Sequence, residues 1–111
     1  LKPVSGAGNS SSPLKLKPGN DFGKHDLVTR GYYGKYFVQY GELELYTVEL
    51  EKARKAEDSM LVEIILEEIE DRKKRLKKLD DSARRDGIPA GIGRQAKKDV
   101  IKYLKDQGRI N

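Results

Sequence analysis

The chain has no cysteine and a single histidine, His25, among its 111 residues. The missing cysteine excludes disulfides and thiolate metal sites, and it leaves the redox compartment open. His25 lies in the N-terminal tail and is interpreted as a solvated residue, so the sequence offers no Ser–His–acid or Cys–His catalytic arrangement to propose. It also leaves no Glu-x-x-His partner for Glu63, Glu67 and Glu70, so these carboxylates are not expected to bind a metal. The sequence therefore predicts a protein without enzymatic activity, metal, cofactor or small-molecule substrate.

Long apolar runs are also missing, because no segment approaches the roughly 18 residues that span a bilayer. A membrane partner is therefore not expected, although the last segment could contact an anionic surface. No signal peptide is visible at the start of the chain, which, with the lack of cysteine, slightly favours an intracellular location. Charged residues make up 37% and hydrophobic residues 36% of the chain. Such a thin core predicts one small domain that reaches stability as a helical bundle or an oligomer.

Charge is sorted along the chain. Residues 29–70 carry five Lys/Arg and ten Asp/Glu, whereas residues 71–111 carry fourteen Lys/Arg and six Asp/Glu. The two stretches meet inside a segment, residues 42–86, that contains no proline or glycine and is typical of helix. Opposite charge in consecutive stretches favours a segment that folds back on itself or pairs with another helix.

Residues 1–28 have the composition of a flexible tail, rich in serine, glycine and proline. Residues 29–41 are ambiguous, because three glycines and four tyrosines suit either a helix or a hairpin around Gly34 and Lys35. A strand is favoured by the aromatic content, and a helix is favoured by propagation from the next segment. The prediction is a helix that begins between Gly31 and Lys35.

Two helices follow with a break near residue 58. Residues 35–57 and 58–86 carry apolar stripes whose phases differ at this point, and Asp58 or Ser59 supplies an N-cap. A stutter in one continuous rod explains the shift as well as a turn does. A turn places Glu42 and Glu44 beside residues 72–75, so charge favours the hairpin. Gly87 suits a helix end, residues 88–93 complete the connector that begins there, and residues 94–107 predict a third helix.

The expected fold is all-α: an antiparallel, coiled-coil-like helical hairpin and a short C-terminal helix after a disordered or extended N-terminal tail. Apolar residues at 62, 65, 69, 76, 79 and 83 form the stripe of the second helix, interrupted by Arg72. Leu61, Ile64 and Leu66 widen this stripe, so the start of the helix is expected to be the more buried end.

Two groups of residues are candidates for function. The first is a protein interface formed by Tyr32, Tyr33, Tyr36, Tyr40, Tyr46, Leu61, Ile64 and Leu66, although the tyrosines could instead close the open end of the hairpin. The second is a nucleic-acid contact formed by Arg72, Lys73, Lys74, Arg75, Lys77, Lys78, Arg84, Arg85, Arg94, Lys97, Lys98 and Lys102, although such residues often form an ordinary solvated face.

The first group is the better supported, because a thin-cored chain with a wide apolar stripe should cover it by pairing. The sequence therefore predicts a non-enzymatic helical protein–protein interaction or assembly module, self-associating or a subunit of a larger complex. A nucleic-acid-binding module that uses the basic C-terminal half is the alternative.

Overall fold

The computed structural model describes residues 27–111, which form three α-helices and no strand. Helix α1 spans Leu27–Lys55, α2 spans Ser59–Arg85 and α3 spans Gly91–Asp106. The predicted all-α hairpin with a short third helix is confirmed, and the strand and continuous-rod alternatives are wrong. The predicted tail, residues 1–28, lies outside the described residues except for Leu27 and Val28.

Helix α1 begins at Leu27, four or more residues before the predicted start. The glycine-rich segment is helical because its aromatic side chains are buried: Tyr33, Tyr36 and Phe37 are all in the core. Tertiary packing of a helical face contributes more to helix stability than intrinsic propensity does. Packing therefore outweighs the low helix propensity of the glycines and the strand propensity of the tyrosines in this segment.

The turn between α1 and α2 falls at residues 56–58, where the phase shift of the apolar stripes and the capping residues predicted it. The Asp58 side chain accepts a hydrogen bond from the Leu61 amide at 3.1 Å and so caps α2. Glu57 adopts φ 55°, and the amides of Glu57 and Asp58 donate to the carbonyls of Arg54 and Ala53. This is the Schellman arrangement with a glutamate where glycine is usual, at a cost of about 1 kcal/mol.

Helix α2 ends in the same way at Gly87, whose φ is 73°; the following amide, of Ile88, donates to Ala83. The predicted glycine stop is therefore confirmed. Helix α3 begins at Gly91, three residues earlier than expected, so the predicted connector is shorter. The reason is packing: Ile92 and Gly93 are buried, and a Cβ on Gly93 would lie 3.2 Å from the Tyr36 ring.

Helix α1 lies at the centre of the molecule. It packs against both α2 and α3, whereas no Cα atom of α2 lies within 8 Å of one of α3. One apolar cluster joins the aromatic half of α1 to both other helices and includes Ala96, Val100 and Leu104. A second cluster near the turn joins α1 and α2 through Leu50, Ala53, Ile65 and Ile69. Helix α1 therefore lies between α2 and α3 along its aromatic half and packs on α2 alone near the turn.

Candidate interaction surfaces

The five tyrosines of the predicted interface differ in exposure. Tyr33 is 1% and Tyr36 is 4% exposed, whereas Tyr32, Tyr40 and Tyr46 are half-buried. The first two therefore offer no ring surface to a partner in this conformation. Their rings instead fill the space between α1 and the other helices, which is the alternative role that the sequence allowed.

Three of these tyrosines anchor their hydroxyl groups on aspartates that follow α1 in the chain. The pairs are Tyr32 to Asp86 at 2.5 Å, Tyr33 to Asp99 at 2.6 Å and Tyr36 to Asp80 at 2.5 Å. Hydrogen bonds to an ionised acceptor are shorter and stronger than neutral ones. The tyrosine cluster thus fixes α1 both to the end of α2 and to α3, a link that spacing in the sequence does not reveal.

Burial and the neighbouring carboxylate change the acidity of this cluster. The pKa of Tyr36 is raised well above its ordinary value of 10.0, first by desolvation and then by its hydrogen bond to Asp80. Desolvation also raises the pKa of Tyr40, with the Asp80 charge as the second cause. A phenolate at either position would be buried beside a negative charge, so the folded chain keeps both groups neutral.

We expect this cluster to make the fold sensitive to alkali. Because the folded-state pKa of Tyr36 is raised, its stabilising contribution is complete below pH 10 and is lost as the pH rises from there towards the folded-state value. Urea unfolding of wild type and Tyr36→Phe at neutral pH and at about pH 11 measures this. The stability should fall less with pH in the variant. Equal pH dependence in the two proteins would contradict the assignment, since lysine titration is common to both.

Arg72 lies in a buried ion-pair cluster. It is 6% exposed, its Nε is 3.1 Å from Glu42 Oε1, and its guanidinium also pairs with Glu68. The guanidinium lies 5.0 Å from the centre of the Tyr46 ring, within cation–π range. Burial alone would lower the pKa of Arg72, but the hydrogen bond to Glu42 and the nearby negative charges raise it. The ion pair between Arg72 and Glu42 is the contact between opposite charges that the sequence predicted across the hairpin.

The predicted nucleic-acid contact therefore loses one member. Arg72 is buried and paired, so it cannot reach a phosphate without leaving a buried carboxylate behind. The other eleven residues of that group are exposed, and Arg75 is held by Asp71 at 3.0 Å. The basic surface thus remains on the C-terminal half of α2 and on α3.

The apolar residues at the start of α2 are exposed, which is the opposite of the burial that the sequence predicted. Met60 is 74%, Leu61 is 40% and Ile64 is 51% exposed. At about 100° per residue these three lie together on one flank of the helix, and we call them the turn-end patch. Leu66 is also exposed but projects about 200° from Ile64, on the opposite flank. No part of α3 lies over this end of α2.

A cleft of about 320 Å³ lies between the end of α2 and the start of α3. The stacked rings of Tyr36 and Tyr40 form one wall, and Arg84 and Arg94 line it as well. Asp80 also lines the cleft but already accepts the Tyr36 hydroxyl. The lining side chains include no serine, threonine or cysteine nucleophile.

Metal ligands do not cluster within residues 27–111: no three His, Asp or Glu side chains there stand close enough to hold an ion. None of the three helices α1–α3 combines the length and the apolar character needed to cross a membrane. Comparison with protein-family models, with curated proteins and with solved structures finds no match to this chain.

Proposed function

We propose that this chain is a non-enzymatic helical assembly module that associates through the turn-end patch of α2. The proposal depends on one observation, the exposure of Met60, Leu61 and Ile64 side by side at the end of the hairpin. Single exposed apolar residues are ordinary on protein surfaces, but adjacent ones bordered by polar residues mark interaction sites.

The hairpin does not need these side chains for its own packing. The core face of the same helical turns is supplied by Val62, Ile65 and Ile69, which contact α1. Burying Met60 and Ile64 against a partner would therefore add hydrophobic stabilisation without disturbing the existing core, at about 25 cal/mol per Å² of apolar surface.

Ile64→Asp tests the proposal because it places a charge in the centre of the patch. In sedimentation velocity at protein concentrations up to about 200 µM, the wild-type chain is expected to sediment as a species heavier than one chain. The Ile64→Asp variant should sediment as a monomer at the same concentrations. Circular dichroism should show the same helix content in both, since Ile64 is outside the core.

Leu66→Asp is the matched control. Leu66 is on the same helix and is as exposed as Leu61, but it lies on the opposite flank. This variant should associate as the wild-type chain does. A wild-type chain that stays monomeric throughout, or an equal loss of association in both variants, would overturn the proposal.

A further inference from the structure

We propose that the turn-end patch docks on the outward face of α3 in a second copy of this chain, so that copies associate head to tail. The inference rests on the proposed function and adds the identity of the partner surface. It is carried by the complementary charge of two surfaces at different places on the molecule, each with an apolar centre.

The surroundings of the patch are strongly acidic. Residues 56–71 contain seven Asp/Glu and no Lys/Arg. Glu63 and Glu67 follow Met60 by one and two helical turns, so they border the patch, and both are exposed. A second patch of the same kind would bring like charges together, at a cost. The patch therefore selects a partner that is basic around an apolar centre.

The outward face of α3 has that character. Arg94, Lys98, Ile101 and Lys105 are spaced at i, i+4, i+7 and i+11 and so form one stripe along the helix; we call it the α3 stripe. The three cations are exposed and Ile101 is half-buried. Among residues 27–111 none of these cations takes part in an ion pair, unlike Lys102, which pairs with Asp106 at 3.2 Å. The stripe therefore presents unneutralised charge around one isoleucine.

The α3 stripe of a chain cannot reach the turn-end patch of the same chain. The backbones of α2 and α3 do not approach each other closely. Arg84 lines the cleft beside α3, so it marks the flank of α2 that faces α3. Leu66 lies on the same flank, five full turns before Arg84, whereas Ile64 lies on the opposite flank. Docking on α3 thus requires another molecule. Because the two surfaces differ, a pair of copies still has one unused stripe, on the first copy, and one unused patch, on the second. Further copies can therefore add at both ends, unlike in a symmetric dimer, which closes.

The contact joins one helix face to another, so it is smaller than the roughly 1,200 Å² of a stable dimer interface, and association should be weak. Much of its strength is expected to come from charge. Screening is substantial at about 0.5 M salt, where the Debye length is about 4 Å, so the association measured at about 50 mM salt should decline as salt is added.

The decisive experiment mixes two variants that each lack one surface. Ile64→Asp removes the patch and keeps the stripe, whereas Lys98→Glu combined with Lys105→Glu reverses the stripe and keeps the patch. Each variant alone should sediment as a monomer at about 200 µM. An equimolar mixture should form a species of two chains and nothing larger, because only one productive contact remains between the two variants.

Other outcomes distinguish this inference from the proposed function. If the stripe variant still associates while Ile64→Asp does not, the patch binds another surface; the inference is then wrong and the proposed function stands. A mixture that stays monomeric also overturns the inference. A monomeric wild type overturns both. A monomeric wild type that binds a short labelled duplex at low salt, with binding lost in the stripe variant, would assign the stripe to phosphates instead.

Discussion

Arg72→Met is expected to lower the free energy of unfolding by about 3–5 kcal/mol at neutral pH. Methionine is shorter than arginine but keeps an unbranched apolar side chain, and the change removes the guanidinium from Glu42, which is 3% exposed. Removing one partner of a buried ion pair is costly, whereas the intact pair contributes little net stability. A domain of this size is stable by about 5–10 kcal/mol, so the variant should be close to unfolding. Urea denaturation followed by circular dichroism measures the loss.

The control is the double variant Glu42→Leu with Arg72→Met. With both members of the buried pair gone, the stability should return to within about 1 kcal/mol of wild type, or exceed it, because Glu68, the other partner of Arg72, is partly exposed. If the double variant is as unstable as Arg72→Met alone, the buried charge is not the cause and side-chain packing of Arg72 is. The comparison therefore separates the electrostatic role of the pair from its volume.

Tyr33→Ala is the second change with a large expected effect, a loss of about 3–5 kcal/mol. The ring is 1% exposed, lies 5.9 Å from that of Phe37 and fills the contact of α1 with α3. Its removal leaves a cavity that helices fixed on both sides of α1 cannot close. Thermal unfolding should show a lower midpoint, because a loss of this size moves the midpoint of a small domain by tens of degrees.

Tyr33→Phe is the matched control, since it keeps the ring and removes only the hydroxyl group. Asp99 then still accepts a hydrogen bond from Gln95 at 2.8 Å, so the cost should be about 1 kcal/mol. Equal losses in Tyr33→Ala and Tyr33→Phe would mean that the hydrogen bond, and not the buried ring, holds α3 in place.

The sequence predicted the hairpin because local signals and charge agreed. Asp58 has cap chemistry, Gly87 takes the positive φ of a helix stop, and Glu42 meets Arg72 across the turn. It did not predict the burial of Arg72, although the signal was present: a cation at a position of the apolar stripe, facing a glutamate. The same residue also belongs to a run of basic side chains, and both interpretations of that run, a nucleic-acid contact and a solvated face, treated all its members as exposed.

The exposure of Leu61, Ile64 and Leu66 was harder to foresee. Their spacing predicts a broad apolar face, but the burial of a broad face depends on how many helices cover it. Helix α3 packs on the tyrosine half of α1 and leaves the start of α2 uncovered. The position of α3 depends on long-range contacts such as that of Tyr33 with Asp99, 66 residues away in the chain, and no local sequence pattern encodes such a contact.

The central place of α1 has a consequence for how the molecule opens. The close helix-to-helix contacts described here all involve α1, so either outer helix can detach while the other stays in place. Sub-global opening should therefore be asymmetric: amide hydrogens in the middle of α1 exchange only when the whole domain unfolds, and those of α2 and α3 exchange through separate, partial events. The outer helices α2 and α3 would then detach and return independently of each other, while α1 stays folded.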